Sequence, residues 1–529
     1  MELMEKKSRA WCSLAVISLC VFGGFLLTGV VSAQQSGGTL IVASAGEPGS
    51  LAPQILFGGM ACEVADDIYN ALLTMDHGHF SYGDLAKSWE ISEDGLTYTF
   101  ALHENVTWHD GTPFSAEDVV FTYTTGIKEG WALVDYFAGV EEVFAPDPNT
   151  VVIKLKEPNA AFISMLGAAG TWYAQILPKH LYEGTVYEEN PHMREPVGTG
   201  AFKFVKWVPG EYIELERNEN YFREGRPYLD RLIYRIFTDP ETAQTAFRAG
   251  EVDLLIYQLA PDLSRVEAFA KETNSRMLFQ ASMYDRSLHF QRNVEMFNDP
   301  RVREAIGLLV DREQISLLGW GGQYPANYVP CSGMGAWCNE NVTFPGRDVE
   351  RANQLLDEAG YPVKSDGWRF EVGLTGLPYF VPMNEVIKEQ LKDGRIKVEL
   401  EVYDTATFWQ TFRDGGWELA THYFRYGPDP DAFCEHLGTG GARNDWNVSS
   451  QELDTLFELG RQITDDSSRH LLYNKVQEVL RRDWVYIPLT KAGYFEFVKQ
   501  GLRANPVGDT ETYGQCYSWH SYEATWWEK

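Results

Sequence analysis

The chain has 529 residues, of which 44% are hydrophobic and 23% charged, with a formal net charge of −30. That length exceeds what one hydrophobic core usually supports, so two or more lobes are expected, and the composition excludes a disordered, fibrous or membrane-embedded chain. So acidic a surface repels phosphate backbones, and no local basic patch offsets it, which excludes nucleic acid and argues against docking on an anionic membrane.

Taken in order, the chain opens with Lys6, Lys7 and Arg9, then the apolar run Trp11 to Val31, then Val31-Ser32-Ala33 before Gln34. This is the plan of a secretory signal peptide cleaved after Ala33. The alternative is a retained N-terminal anchor, since about 20 apolar residues can span a bilayer. No cysteine directly follows the apolar run, so a lipid anchor is not expected.

TLIVA, Thr39 to Ala43, is a compact apolar strand running into the Gly/Pro-rich GEPGSLAPQILFGGMAC, which should not be helical before Glu63. Residues 64 to 75 read as a helix. Trp89 to Ser92 and Leu96 to Leu102 form a hairpin across Glu93-Asp94-Gly95, because Leu96, Tyr98, Phe100 and Leu102 alternate with smaller or polar residues. A second turn at His109-Asp110-Gly111 leads to a helix with Ser115 as N-cap and Val119, Val120 and Tyr123 on its apolar face. The acids here suit a turn and the positive end of a helix. They are architecture, not chemistry.

LAKSWEISEDGLTYTFALHENVTWHDGTPFSAEDVVFTY closely resembles the signature region of the peptide/nickel-type extracytoplasmic solute-binding proteins (family 5) of ABC importers, which include oligopeptide- and dipeptide-binding proteins. Two later blocks carry the same resemblance: EPVGTGAFKFVKWVPGEYIELERNENYF, Glu195 to Phe222, and the GEVDLL unit that follows a helix at Glu241 to Ala249. The resemblance implies an α/β fold of the large periplasmic-binding-protein type, cluster C, with two lobes and an extra subdomain in the first. On that basis residues 38–286 with 490–529 are expected to form lobe I, with a subdomain at about 65–195, and residues 287–489 lobe II. It also implies that the loop after the first strand lines the ligand cleft, which nominates Leu56, Phe57, Gly58 and Gly59. In the family an aspartate often precedes the proline of this loop; here Ala52 precedes Pro53.

Further strands are expected at Val140 to Phe144, Thr150 to Leu155, Phe202 to Trp207, Tyr212 to Arg217, Leu232 to Phe237 and Glu251 to Leu255, with a helical segment at residues 160 to 168. The lone Gly-x-Gly at Gly198 to Gly200 precedes a strand rather than a helix, so it is no nucleotide loop. Tyr284 to Asn293 should cross between lobes. Asp299-Pro300 starts a helix, and Arg351 to Pro362 is another. Phe370 to Leu374 and Lys397 to Val402 flank the helix Asn384 to Leu391, an alternation that predicts a second α/β lobe. Trp417 to Thr421 reads as a strand, Leu471 to Leu480 as a helix, and Val485 to Leu489 as the strand returning to lobe I.

HYFRYGPDPDAF, His422 to Phe433, is too aromatic and too rich in Gly and Pro for an ordinary surface loop. By resemblance it forms one wall of the cleft, where peptide-binding relatives carry an aspartate four residues before the Asp-Pro proline that pairs with the ligand's α-amino group. That position is Tyr426 here. Trp409, Tyr423, Phe424 and Tyr426 offer stacking faces instead, which suit an oligosaccharide as well as a peptide, and Arg425 can pair with a ligand carboxylate. Asp429 and Asp431 are expected in a turn and a helix cap.

After the signal, Cys62, Cys331, Cys338, Cys434 and Cys516 remain. Cys331 and Cys338, around a Gly-rich loop, are the local disulfide candidate in an oxidising compartment; no histidines accompany them at zinc-ligand spacing. The expected protein is therefore an extracytoplasmic, monomeric binding component without catalytic residues, metal or cofactor. Its partners would be a small-molecule ligand, oligopeptide or oligosaccharide, and the permease subunits. The rivals are an extracytoplasmic glycoside hydrolase, for which no carboxylate pair stands out, and a nickel or metal-chelate binder through His422 and His436.

Overall fold

A computed structural model of the chain describes residues 36–53, 59–75, 81–129, 137–167, 174–257, 262–427, 429–441, 443–504, 506–507, 510–511 and 522–528. The expected signal segment lies outside these residues. Among the described residues, no helix is long and apolar enough to cross a membrane.

One ten-stranded sheet runs through the protein. Its order is Ile396–Val402, Phe370–Gly376, Leu419–Arg425, Arg276–Phe290, Ile487–Val498, Leu254–Tyr257, Thr39–Ala45, Arg231–Phe237, Tyr212–Arg217 and Phe202–Val208. The two central strands are the long ones. Arg276–Phe290 leaves the first half and Ile487–Val498 returns to it. They pair antiparallel from Arg276↔Val498 to Leu288↔Ile487, with register shifts between Ala281 and Asp285 and again at Arg286/Ser287. On one side of this pair, Thr39–Ala45 lies parallel to Arg231–Phe237 and to Leu254–Tyr257. On the other, Phe370–Gly376 lies parallel to Ile396–Val402 and to Leu419–Arg425. The fold is two-lobed α/β. Each half of the sheet carries three parallel strands, and the crossing strands join the halves; the first half adds two antiparallel strands at its edge.

The apolar alternation read in the sequence is what builds the cores. One gathers Leu40, Val42, Leu232, Tyr234, Leu254 and Val498; another gathers Leu288, Val372, Leu374, Leu419, Phe424 and Ile487. A four-stranded antiparallel sheet, in the order Ala86–Ile91, Thr97–Leu102, Thr150–Leu155 and Val140–Asp147, has its own core around Tyr98, Phe100, Trp108 and Ile153. The hairpin pairs Trp89 with Phe100 and Ile91 with Tyr98, and Gly95 supplies the left-handed turn at φ +70°. The following helix is Ala116–Glu129. Asp118 accepts from the Ser115 backbone N–H at 2.9 Å and, through its other oxygen, from the N–H of Lys179 at 3.0 Å.

Several elements differ from expectation, each for a non-local reason. The first helix is Gly59–Ile68, beginning before Glu63 and ending well before residue 75, while Leu73–Met75 is a short strand. The helix end is closed by the Gly-x-Gly motif: Gly200 N–H donates to the Ile68 carbonyl at 2.8 Å, and a Cβ on Gly198 would lie 1.8 Å from that oxygen. The glycines permit backbone contact, not phosphate binding. Residues Ala160–Leu166 form a 3-10 helix capped by Asn159. Cys331 and Cys338 are bonded to each other. Cys62 is buried and Cys434 half-buried, while Cys516 lies outside the described residues.

Candidate functional site

Ligands of open α/β sheets sit outside the carboxyl ends of the strands. In lobe I, the ends of Thr39–Ala45, Arg231–Phe237 and Leu254–Tyr257 open onto a cleft lined by Ser44, Gly46, Thr238, Pro240, Glu241 and Gln244. Leu56, Phe57 and Gly58 lie outside the described residues; Gly59 is the first residue of the helix Gly59–Ile68. That helix carries acids into the lobe. The Tyr234 hydroxyl donates to the Asp67 carboxylate, whose second oxygen accepts from the Tyr522 N–H at 2.8 Å. Glu496 of the return strand accepts from Gln280 Nε2 at 3.0 Å, while its other oxygen is buried without a donor. Burial pushes the Glu63, Asp67 and Glu496 carboxyls up to about 8, and nearby carboxyls add to the effect at Glu63.

In lobe II the strand Leu419–Arg425 extends four residues beyond Thr421, because it pairs with the outgoing strand from Phe290↔Leu419 to Tyr284↔Arg425. Its period of two divides the aromatic segment between the faces of the sheet. His422, Phe424 and Tyr426 share one face. Phe424 is wholly buried, stacked on Tyr486 with ring centres 4.9 Å apart and packed on Phe433 and Trp446. Tyr426 is 1% exposed; its hydroxyl donates to Asp285, which also receives the Ser332 hydroxyl and Asn327 Nδ2 at 2.6 Å. Burial raises the Asp285 carboxyl to about 6. Trp409, half-buried on the helix Thr405–Arg413, joins this face against His422 at 4.7 Å.

Tyr423 and Arg425 share the opposite face. Tyr423 is half-buried, its ring 5.9 Å from Tyr284, 5.3 Å from Phe380 and 6.3 Å from the 45% exposed Tyr379. Arg286 stands opposite Tyr423 across the strand pair. The aromatic wall read from the sequence is thus split: Phe424 and Tyr426 belong to the core, and Tyr379, Phe380 and Tyr423 form the group on the other face. Tyr379 and Phe380 were not singled out in the sequence, since only the long-range strand pairing brings them to Tyr423.

Arg425 lines a second, narrow cleft with Ser164, Gly427, Asp429 and His436. Asp429 and Asp431 are not mere turn and cap acids. Asp429 is buried in a two-point pair with Arg469 at 2.8 and 3.0 Å, and Asp431 pairs with Arg461 at 2.9 Å while standing at the N-cap of Ala432–Leu437 without capping it. Burial pushes His422 down to about 4 and His436 to about 3, so both rings are neutral at pH 7. Among the described residues, no three His, Cys, Asp or Glu side chains converge as a metal site.

Residues 82–445 match the family of bacterial extracellular solute-binding proteins, family 5, middle part. The chain is 32% identical over 442 residues to a Brucella ovis protein named for peptide binding in an ABC transporter, covering 80% of this chain and 81% of that one. It is 27% identical over 480 residues to the oligopeptide-binding protein AppA of Bacillus subtilis, covering 85% and 86%. The crystal structure of the ABC transporter substrate-binding protein CtaP of Listeria monocytogenes superimposes with a TM-score of 0.81 at 25% identity, covering 94% of this chain and all of that one. The two-lobed fold and these matches define a solute-binding protein. This chain belongs to family 5 of the bacterial extracellular solute-binding proteins.

Proposed function

We propose that the chain captures a peptide or an oligosaccharide in the cleft between its lobes and delivers it to the membrane permease of an ABC importer. In this reading residues 38–286 with 490–529 form lobe I, with its subdomain at about 65–195, and residues 287–489 form lobe II. The observation that carries it is the pair of adjacent crossing strands, Arg276–Phe290 and Ile487–Val498, whose register shifts between Ala281 and Asp285. Such a pair is a natural hinge. Contacts that a solute makes only when both lobes reach it shift the population toward the closed form. No covalent step, cofactor or metal is required, and the protein acts as a secreted monomer freed of its first 33 residues.

Tyr423 and Arg425 are the proposed contacts in lobe II, and Leu56 to Gly59 those in lobe I, while Phe424 and Tyr426 support them from the core and Trp409 flanks them through His422. Peptides are favoured by the names of the relatives. Oligosaccharides are favoured by the rings of Tyr379, Phe380 and Tyr423, since sugar faces stack on aromatics. A thermal-shift screen of residues 34–529 against di- to pentapeptides, β-linked oligosaccharides and Ni²⁺ separates these readings. A ligand at about 100 times its dissociation constant adds roughly 2.7 kcal/mol to stability. A raised melting point with peptides is the expected result; turnover of an oligosaccharide would replace the proposal with an enzyme.

A further inference from the structure

Arg286 is 4% exposed, and no carboxylate pairs with it among the described residues. Its Nη1 donates to the Lys491 carbonyl at 2.9 Å, its one hydrogen bond among the described residues. Its Nε is buried without an acceptor. The guanidinium carbon lies 3.7 Å from the ring centre of Tyr324, 4.3 Å from Trp320 and 5.6 Å from Tyr423. Those faces hold the cation by its attraction to the rings and keep water away. They supply no hydrogen-bond acceptor.

The neighbouring acid does not compensate it. Side chains alternate along the strand, so Asp285 faces Tyr426 on one side while Arg286 faces Tyr423 on the other. Three other arginines bond more of their nitrogens: Arg292, Arg312 and Arg369 each leave one nitrogen without an acceptor but donate from the other two. Arg303, equally buried, spends Nε, Nη1 and Nη2 on the carbonyls of Phe297, Asn298, Asp483 and Trp484. On Arg286, Nε is buried without an acceptor, and Nη2 makes no hydrogen bond among the described residues. The Nε–Nη2 edge is the one that takes a carboxylate through two parallel bonds. Its position also fits: Arg286 lies opposite Tyr423, at the carboxyl end of the parallel strands of lobe II and beside the register shift of the hinge.

We propose that Arg286 is the anion receptor of the cleft and takes a carboxylate of the bound solute on its Nε–Nη2 edge, with Trp320, Tyr324 and Tyr423 shielding the pair. This rests on the solute-binding reading and sharpens it, because it selects solutes with a free carboxylate over neutral oligosaccharides. Burial away from water makes the pair strong, and leaving either charge alone there is costly.

The test uses residues 34–529, wild type and Arg286→Met, with three probes: a tripeptide pool as free acids, the same pool as C-terminal amides, and cellotetraose. Affinities are read by calorimetry. Wild type is expected to prefer the free acids by at least about 30-fold, as for other buried charge pairs. Arg286→Met should lose that preference while its melting point stays level or rises, as when an uncompensated buried charge is replaced by an apolar side chain of similar length. Amides or cellotetraose binding wild type as well as the acids would overturn the proposal and leave the solute-binding reading standing. An acid preference that survives in Arg286→Met would do the same. Binding of none of the three probes would overturn both.

Discussion

Both lobes bury charge without a counter-ion, but of opposite sign, and the difference in chemistry decides how each copes. Lobe I buries Glu63, Asp67 and Glu496; lobe II buries Arg303 and Arg312, and Arg286 lies at the junction on the crossing strand. A carboxyl can accept a proton and become neutral, and burial favours that form. A guanidinium remains charged at any accessible pH. Lobe II must therefore solvate its arginines with protein dipoles, as the carbonyls of Pro345 and Pro488 do for Arg312. The lobe I acids thus tie stability to pH in the neutral range, which the charged lobe II arginines do not.

Breaking the carbonyl cage in lobe II should have the largest effect. Arg303→Met strands the carbonyls of Asn298, Asp483 and Trp484 and should lower stability by about 3 kcal/mol, measured by urea unfolding. A loss below about 1 kcal/mol would mean water replaces the guanidinium. The lobe I acids come next. Their folded values near 8 lie above the ordinary carboxyl range, so between about pH 4 and 8 the folded chain holds protons that the unfolded chain has released. Stability should fall as pH rises through that window and level off above it. Glu496→Gln should flatten the profile, gaining about 2 kcal/mol at pH 8 and nothing near pH 4. An unchanged slope would show that Glu496 ionises freely.

Smaller still is Tyr426→Phe, which removes one of three donors to Asp285 and should cost about 1 kcal/mol. A cost much above this would assign Tyr426 a larger part in holding the outgoing strand. Smallest is Lys87→Ala, whose pairing with Glu104 at 3.5 Å is exposed on both sides. Less than about 0.5 kcal/mol is expected at any salt concentration.

What the sequence conveys well is local. The hairpin around Gly95 and the helix after Ser115 follow from alternation, turn residues and a capping pattern, all within a few residues of one another. The fold itself is legible through the long signature stretch. Elements whose limits are set by distant partners are not. The outgoing strand starts at Arg276 rather than Tyr284 because its first half pairs with residues more than 200 positions later. The same pairing carries Leu419–Arg425 past Thr421 and so turns an apparent aromatic loop into a strand that buries Phe424 and exposes the Tyr423 side.

The site is harder to read for the same reason. Asp429 looks like a turn residue until Arg469 is brought to it. Arg286 follows Asp285 directly in the crossing strand, so in the sequence it reads as half of a neighbouring charge pair. Its surroundings come from Trp320, Tyr324, Tyr423 and Lys491, and no spacing in the chain announces them.

The central claim is that two lobes close on a solute about the crossing strands. Small-angle X-ray scattering of residues 34–529, with and without the free-acid tripeptide pool, tests it directly. A fall in the radius of gyration on adding the pool is the predicted result. A melting-point rise with no contraction would mean the solute binds without bringing the lobes together, and would contradict the account.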